Sequence, residues 1–451
     1  MNERRELKHL LKERAKKNGK YYLIGLFFLL TAIYVVDEIA SNINSAMQPY
    51  VILDLFKIPS QNVLSKEYAS AVGVFTIITM VSYVMMLIAP FYKALADRFG
   101  RKLFLILNTF LMGVGMFICM ISPNYIFYIF GALVITFVKS NDMQVMYIIE
   151  TAPKEHRAKI CNLTKAIGLI SVSLIGVLRS IFYDENNITT WRMVFLIPAI
   201  IAILVALICI PFIRETPVFV EQRILELNNE AEKENVSEQR GGVFSAFKMI
   251  WTNRQLRNIM IASVCFALVT GITSYYTTVL EAANGMGKIT SGMINTILII
   301  FPFVNGVFTL LCGFVSDSVG RKKACFIFSI IASIGLILFS CGARMGWSAE
   351  VIGIGWGMFI GTLWSITDTL VLVMPAESTP TSMRASVMGV MSLLLSAGMA
   401  LSIILFVIGL KFLGASSLGI FALCVCIPLM IISCVMLSKV EETKGNDLDS
   451  I

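Results

Sequence analysis

Long apolar blocks alternate with short polar segments along the chain. Each block is about as long as the 20 residues that a helix needs to cross the hydrocarbon core of a bilayer. The pattern predicts six such spans, a polar break and six more spans. Numbered one to twelve in chain order, they are Tyr22–Asn42, Ala69–Phe91, Leu103–Ser122, Tyr125–Ile149, Cys161–Tyr183, Met193–Ile213, Ile259–Leu280, Ser291–Val315, Ala324–Ala343, Val351–Met374, Ser386–Leu410 and Ser417–Leu437. The expected fold class is therefore an all-α polytopic membrane protein with twelve transmembrane helices.

The composition agrees with this reading and argues against an enzyme. The chain has 451 residues, of which 57% are hydrophobic and only 15% charged, and a soluble domain of this size could not bury so much apolar surface. Its two histidines, His9 and His156, lie in polar segments, and no phosphate-binding loop or nucleophile motif accompanies them. The ten cysteines show no metal-type spacing. We expect no enzymatic activity, no cofactor and no metal site.

Basic residues are concentrated on one side of the predicted helices. They fill the N-terminal arm and the loops after even-numbered spans, whereas the opposite loops carry only a few, such as Lys57, Lys66, Lys288 and Arg344. The positive-inside rule makes the basic side cytoplasmic, so we expect a multi-pass protein of the cell (plasma) membrane with both termini in the cytoplasm. The net charge of +8 comes largely from these loops and does not indicate a nucleic-acid partner.

These patterns divide the chain into five segments. We predict a basic cytoplasmic arm at 1–21, a six-helix bundle at 22–213, a cytoplasmic linker with amphipathic helices at 214–257, a second six-helix bundle at 258–438 and a cytoplasmic tail at 439–451. In the linker, residues 221–234 are expected to be helical and residues 243–251 to form a short amphipathic helix at the membrane surface. Residues 45–68, which contain two prolines, are expected to form the largest external loop.

A cassette of charged and turn residues occurs twice, in the same order and at a nearly constant offset. The first copy contains Asp97, Gly100, Arg101, Glu150, Arg157 and Glu215, and the second contains Asp317, Gly320, Arg321, Glu377, Arg384 and Glu442. Such an offset indicates a duplicated half, and hence two pseudo-symmetric six-helix bundles. Two similar halves that can rock against each other around a site between them are typical of a transporter.

The cassettes resemble those of the major facilitator superfamily, and within it the sugar-porter-like branch. The matching stretches are D-R-F-G-R-K at 97–102, D-S-V-G-R-K at 317–322, the E-x-x-P loops beginning at Glu150 and Glu377, the E-T-P beginning at Glu215, and G-I-T-S-Y-Y at 271–276. The resemblance implies a secondary transporter that works by alternating access. It also implies a cytoplasmic gate built from Asp97, Arg101, Glu150, Arg157, Glu215, Asp317, Arg321, Glu377, Arg384 and Glu442. Alternatively, these charges are solvated and serve only to orient the chain.

Ionisable side chains at bilayer depth are costly and therefore point to function. Span one carries Asp37, Asn44 and Gln48 on one helical stripe, with Glu38 beside it. No basic residue lies within a turn of Asp37, so Asp37 and Glu38 are the predicted proton-coupling residues. The predicted substrate cavity is lined by spans one, four, seven and ten, through Asn44, Gln48, Lys139, Asp142, Tyr276, Trp364 and Asp368. Lys139 and Asp142, three residues apart, could equally form a helix-locking pair.

Two transport functions remain open at this point. The first is transport of a small polar organic solute (a sugar-like metabolite, an organic acid or a zwitterion) by proton-coupled symport. The alternative is export of organic cations or drugs by proton antiport, which the excess of buried carboxylates would suit. Span seven has Ala267 and Leu268 where sugar porters carry a glutamine pair, which leaves the substrate class undecided. The expected partners are the solute, protons and the lipid bilayer, and the expected state is a monomer.

Overall fold

The fold is helical throughout the part of the chain that the structure, a computed structural model, describes. It describes residues 19–59, 62–80, 99–139, 143–151, 157–227 and 243–443, together with residues 11, 14, 92 and 95. The helices before residue 230 are α1 (Lys20–Leu55), α2 (Lys66–Thr79), α3 (Arg101–Ile121), α4 (Tyr125–Lys139), α5 (Met143–Thr151), α6 (Arg157–Ser171), α7 (Ser173–Phe182), α8 (Trp191–Phe212) and α9 (Pro217–Leu227).

Later in the chain the pattern continues, with two local departures from α-helix inside spans. The helices are α10 (Val243–Thr252), α11 (Arg254–Val269), α12 (Tyr276–Gly285), α13 (Ser291–Val319), α14 (Arg321–Met345), α15 (Ala349–Asp368), α16 (Met374–Glu377), α17 (Thr381–Leu413) and α18 (Leu418–Ser438). A 3-10 segment at Thr270–Ser274 separates α11 from α12, and a π segment at Thr369–Val373 separates α15 from α16.

Eleven helical stretches among the described residues are long and apolar enough to cross a membrane. Each matches one predicted span, with ends displaced by a few residues except at span one. Span two is represented by α2, and the rest of its predicted range lies largely outside the described residues. The all-α membrane fold is confirmed, and the number twelve remains the prediction from sequence.

The predicted external loop at 45–68 is wrong over its first part. Helix α1 continues to Leu55 and includes Pro49, and a turn then leads to α2. The polar residues and the proline of this region resemble a loop when read alone. In the folded chain the Thr277 hydroxyl donates to the Ser45 carbonyl oxygen, the acceptor that Pro49 cannot serve, so the helix continues past the proline without leaving that oxygen unsatisfied.

Span seven was predicted as one helix, but α11 ends at Val269 and α12 begins at Tyr276. Ser402 of α17 is inserted at this break. Its hydroxyl accepts from the Gly271 N–H at 2.7 Å and donates to the Leu268 carbonyl oxygen. A Cβ at position 271 would overlap Ser402, so only glycine permits this approach.

The linker contains the amphipathic helix expected after residue 242. In α10, Ala246 and Ile250 are fully buried, whereas Phe244, Phe247 and Trp251 are exposed. The rings of Phe247 and Trp251 are stacked with centroids 6.4 Å apart. Helix α9 confirms the first part of the predicted helix at 221–234, and residues 228–234 lie outside the described residues.

The described residues form two compact units, and the boundaries predicted for the two bundles remain predictions. Unit 1 is drawn from residues 1–44, 81–172 and 190–236, and unit 2 from residues 45–80, 173–189 and 237–451. The core of unit 1 includes Leu26, Leu30, Phe104, Leu105, Met143, Tyr147, Cys209 and Ile213. In unit 2, Trp356 packs against the rings of Tyr276, Phe339 and Phe359.

Candidate functional site

The predicted proton-coupling residue Asp37 is buried in α1 and hydrogen-bonded to Gln144 of α5. The Gln144 Nε2 donates to Asp37 Oδ2 at 2.8 Å, and only 7% of Asp37 and 5% of Gln144 are exposed. An amide N–H can donate to a carboxyl group in its neutral or its ionised form, although the bond to the ionised form is the stronger. This hydrogen bond therefore links the Asp37 carboxyl group to α5 in either protonation state.

The neighbouring carboxylate, Glu38, has a different environment. Its side chain is half-buried and lies beside Asn42, whose Nδ2 donates to the Glu38 backbone carbonyl at 2.8 Å. Helix α6 passes close by at Gly168, where a Cβ would lie 3.1 Å from Glu38 Cγ and 2.9 Å from the Tyr34 ring. The two adjacent carboxylates therefore contact different helices, Asp37 contacting α5 and Glu38 lying against α6.

The predicted cavity residues fall into both units. In unit 1, Asn44 accepts a hydrogen bond from the Tyr128 hydroxyl at 2.7 Å. In unit 2, Gln48 is 9% exposed, and no donor among the described residues reaches its amide oxygen. Tyr276 is buried and stacked on Trp356 with ring centroids 5.0 Å apart.

The remaining predicted cavity residues lie on spans four and ten. Trp364 is half-buried and Asp368 is exposed, and Asp368 is the last residue of α15 before the π segment. The assignment of Asp368 to the cavity remains a prediction. Lys139 is the last residue of α4, its side chain is not described, and Asp142 lies outside the described residues.

The first cassette forms a compact cluster in unit 1. The Arg101 Nε contacts Glu150 Oε1 at 3.1 Å, and the Thr216 hydroxyl donates to Glu150 Oε2 at 2.6 Å. Glu215 accepts the backbone N–H groups of Arg101 at 2.9 Å and of Lys102 at 3.1 Å. A carboxylate thereby satisfies the first free N–H groups of α3 and complements its helix dipole.

The second cassette repeats this arrangement in unit 2. The Arg321 Nε contacts Glu377 Oε1 at 3.3 Å, and the Thr443 hydroxyl donates to Glu377 Oε2 at 2.7 Å. Glu442 accepts the backbone N–H of Arg321 at 2.7 Å. The duplication inferred from sequence thus extends to individual hydrogen bonds.

In both clusters a glycine allows the carboxylate to approach. Gly100 and Gly320 have φ of 106° and 101°, a region that favours glycine. A Cβ at either position would overlap the carboxylate of Glu215 or Glu442 respectively. The glycine and the glutamate recur together in both cassettes because only glycine leaves room for the capping carboxylate.

Of the four remaining predicted gate residues, the structure describes the side-chain contacts of two. Asp317 pairs with Arg321 at 2.5 Å, and Arg384 donates to the Thr379 carbonyl at 3.4 Å. Asp97 lies outside the described residues, and the side chain of Arg157 is not described. Glu215 and Glu442 provide the caps, and Asp317 pairs with arginine.

Sequence reasoning missed the two threonines, Thr216 and Thr443. Both are fully buried and hold the second oxygen of Glu150 or Glu377. The repeated E-T pair at the end of each cassette is the signal that could have identified them.

Burial also alters the chemistry of Glu215, which lies outside the spans. Desolvation raises the pKa of its carboxyl group above the usual value, and the backbone N–H groups of Thr216, Lys102 and Arg101 partly oppose that rise. Ionising this carboxyl group inside the cluster is therefore costly, and the hydrogen bonds from the three backbone N–H groups reduce that cost.

Comparison with known proteins agrees with this geometry. The sequence model of the Major Facilitator Superfamily matches residues 23–402. The chain is 25% identical over 340 residues to the arabinose-proton symporter of Bacillus subtilis, covering 67% of this chain and 70% of that protein. It is 23% identical over 343 residues to the glucose transporter GlcP of Staphylococcus epidermidis, covering 67% of this chain and 72% of that protein.

The solved structures share the fold. The crystal structure of a D-xylose-proton symporter matches with a TM-score of 0.69 at 15% identity, covering 94% of this chain and 99% of that one. Since the family model covers most of the chain, the resemblance expected from the duplicated cassettes is confirmed. The chain belongs to the Major Facilitator Superfamily and is a multi-pass membrane transporter.

Proposed function

We propose that this transporter is a proton-coupled symporter of a small, uncharged, hydroxyl-rich solute of the sugar class. The observation that carries the proposal is the buried Asp37 carboxyl group held by the neutral amide of Gln144 at 2.8 Å. A carboxyl group at bilayer depth is expensive to keep unless it has a function, and reversible protonation is the function that we assign to it.

The relatives support the choice of solute and of coupling ion. One is an arabinose-proton symporter and another a glucose transporter, and each match extends over about two thirds of both chains. The buried amide oxygen of Gln48 supports the same choice, because it is an acceptor that a solute hydroxyl could satisfy.

We assign the cassette side to the cytoplasm, and with it both termini, from the distribution of basic residues. The cassette clusters then lie at the cytoplasmic ends of their spans. Within the two cassette clusters, each ion pair among the described residues joins residues of one half of the sequence, such as Arg101 with Glu150 and Arg321 with Glu377. We propose that each cluster holds together the cytoplasmic helix ends of its own half. Each half would then move as a unit when the cytoplasmic gate opens or closes. A monomer is sufficient for this mechanism.

The proposal is tested by solute uptake into proteoliposomes that contain the purified full chain. Labelled arabinose, xylose and glucose are offered with an inward proton gradient, and again after a protonophore has collapsed the gradient. We expect accumulation of at least one sugar above its external concentration only while the gradient is present. Asp37→Asn should abolish accumulation, and solute exchange between equal concentrations should continue because it needs no net proton movement.

The matched control is Asp54→Asn, the same change on the same helix α1 but close to its end at Leu55. It should accumulate sugar as the unaltered chain does. Accumulation that persists in Asp37→Asn would show that another group carries the proton. Transport of organic cations in place of any sugar would favour the antiport alternative.

A further inference from the structure

A third charged cluster, besides the two cassette clusters, lies at the ends of the spans away from the cassettes, entirely within unit 2. Arg179 of α7 is its centre, and its side chain is fully buried. The guanidinium packs against the rings of both Tyr50 and Tyr183, with 5.0 Å and 4.7 Å from its central carbon to the ring centroids, which are themselves 4.5 Å apart. Nothing in the cassette arrangement or in the predicted cavity accounts for it.

Every N–H group of Arg179 has an acceptor. Its Nε donates to the Tyr50 hydroxyl at 2.9 Å, and its Nη2 donates to Glu281 Oε1 and to the Ser291 hydroxyl, both at 3.1 Å. Its Nη1 donates to the Ser291 carbonyl oxygen at 3.3 Å and to Asn295 Oδ1. The Tyr50 hydroxyl in turn donates to Glu281. A guanidinium has five N–H groups, so this set is complete.

We call these five residues, Tyr50, Arg179, Glu281, Ser291 and Asn295, the Arg179 network. Its donors and acceptors come from opposite halves of the sequence. Tyr50 and Arg179 belong to spans one and five, whereas the other three belong to span seven and the start of span eight. In contrast, the ion pairs of the cassette clusters join residues of a single half.

Close packing accompanies the charges. Near Arg179 on the same helix, Gly176 lies against α13, where a Cβ would be 2.9 Å from the Ile299 backbone nitrogen. Two further hydrogen bonds connect the same halves, from Tyr68 to Thr278 at 2.9 Å and from Thr76 to Tyr275 at 3.0 Å. Together these contacts join spans two and five to spans seven and eight.

We propose that the Arg179 network is an ionic latch that holds the ends of the two halves closed on the side away from the cassettes and must release for solute to enter there. An ion pair suits a reversible latch, because the desolvation of its charges when closed offsets much of their attraction. When the latch opens, water replaces the lost acceptors. Apolar side chains in the same contact would gain no hydrogen bonds from water on separation, so opening would cost more.

The latch rests on the orientation proposed above, which makes this side external, but not on the identity of the solute. It is therefore tested without transport, by labelling a reporter cysteine in right-side-out and inverted vesicles with a membrane-impermeant maleimide. The reporter is Ser45→Cys, because Ser45 is half-buried on α1 and lies one turn and a half closer to the cassette end than Tyr50. The chain without this change gives the background from the native cysteines.

In the reporter chain, Glu281→Gln and Arg179→Lys should each raise the external labelling rate about tenfold to a hundredfold. This range corresponds to the loss of one hydrogen bond to a charged group, converted to an equilibrium constant. Tyr50→Phe is a milder variant that removes one acceptor and one donor and still fits the same space. It should raise the rate in the same direction and by less.

Arg192→Lys is the matched control. Arg192 lies at the same end of span six and donates to the Ser122 carbonyl oxygen at 3.1 Å, within its own half of the sequence. It should leave the labelling rate unchanged. Unchanged external labelling in a folded Tyr50→Phe or Glu281→Gln chain would overturn the latch and make the network a static brace. Labelling that rises only in inverted vesicles would refute the orientation and leave the solute proposal intact.

Discussion

The Thr277 hydroxyl donates to the carbonyl oxygen of Ser45 at 2.8 Å. In an unbroken helix that oxygen would accept from the backbone of residue 49, but Pro49 has no N–H group. A side chain from span seven therefore supplies the hydrogen bond that span one lacks. Both residues belong to unit 2, so the contact links the two halves of the sequence at the point where α1 would otherwise weaken.

The first prediction follows from this substitution of donors. Thr277→Val should destabilise the folded chain by about 1–3 kcal/mol, because it leaves a buried carbonyl oxygen without its donor. Pro49→Ala restores a backbone N–H and should recover part of that loss. The measurement is the Tm of all four chains of the double-mutant cycle. If Pro49→Ala has the same effect with and without Thr277, the two residues are not coupled.

The second prediction concerns the glycine of the second cassette. Gly320 and Gly414 have similar backbone angles, with φ of 101° and 76° and ψ of 159° and 165°. A Cβ at Gly320 would lie 2.5 Å from Glu442 Oε2, whereas a Cβ at Gly414 would have nothing within 4 Å. Gly414→Ala should cost about 1–3 kcal/mol from backbone strain alone. Gly320→Ala should lower the Tm further, and equal losses would show that the carboxylate moves aside at no cost.

The third prediction tests the break in span seven. Ser402→Ala should destabilise the chain by about 1–3 kcal/mol, because the buried Gly271 N–H loses an acceptor at 2.7 Å. Ser433→Ala is the control, since the Ser433 hydroxyl is also buried and donates at 3.1 Å to the Ala262 carbonyl oxygen, inside α11. That carbonyl keeps its helical donor, so the control should cost less than about 1 kcal/mol. Similar Tm losses in both variants would contradict the special role of Ser402.

The fourth prediction is a pH dependence. The pKa of Glu215 is raised above its usual value of 4.5 by burial, so the folded state holds the proton more tightly than the unfolded state. The stability from this group is present in full below the unfolded pKa and is lost as the pH rises through the folded pKa. The Tm of the unaltered chain should therefore fall relative to that of Glu215→Gln as the pH rises from about 4.5. Glu442→Gln makes the same change at the equivalent, exposed position, and an identical pH trend there would assign the effect to capping and not to burial.

The sequence predicted those helices whose position depends only on the apolar and polar residues of the helix itself. Apolar length gave the position of each span, and the amphipathic pattern after residue 242 gave α10. The predictions failed where a side chain from a distant span changes the local backbone. Ser45 and Pro49 suggest the start of a loop, because the group that replaces the missing N–H of Pro49 is the hydroxyl of Thr277, 232 residues away from Ser45. Span seven was read as one helix because Ser402, 131 residues from Gly271, decides where it breaks.

The candidate site shows the same division. Asp37 could be selected from sequence, because a carboxylate inside an apolar span stands out without a partner being known. Its partner Gln144 could not, since 107 residues separate them and one buried amide among many carries no distinguishing pattern. The cassette residues were found because they are duplicated, whereas Arg179 and Glu281 occur once and no repeated pattern distinguishes them.

By itself, the sequence determined the membrane class, the duplicated halves and the transporter family, because these depend on apolar length, charge distribution and repeated order. Only the tertiary structure decided which polar groups meet, and therefore which of them can act. The physical reason is that a hydrogen bond inside a membrane protein requires two groups within about 3 Å, and their separation along the chain places almost no limit on that distance. The cap that Glu215 provides for α3 and the ion pair of Arg179 with Glu281 are both of this kind, because each joins residues more than 100 positions apart in the chain.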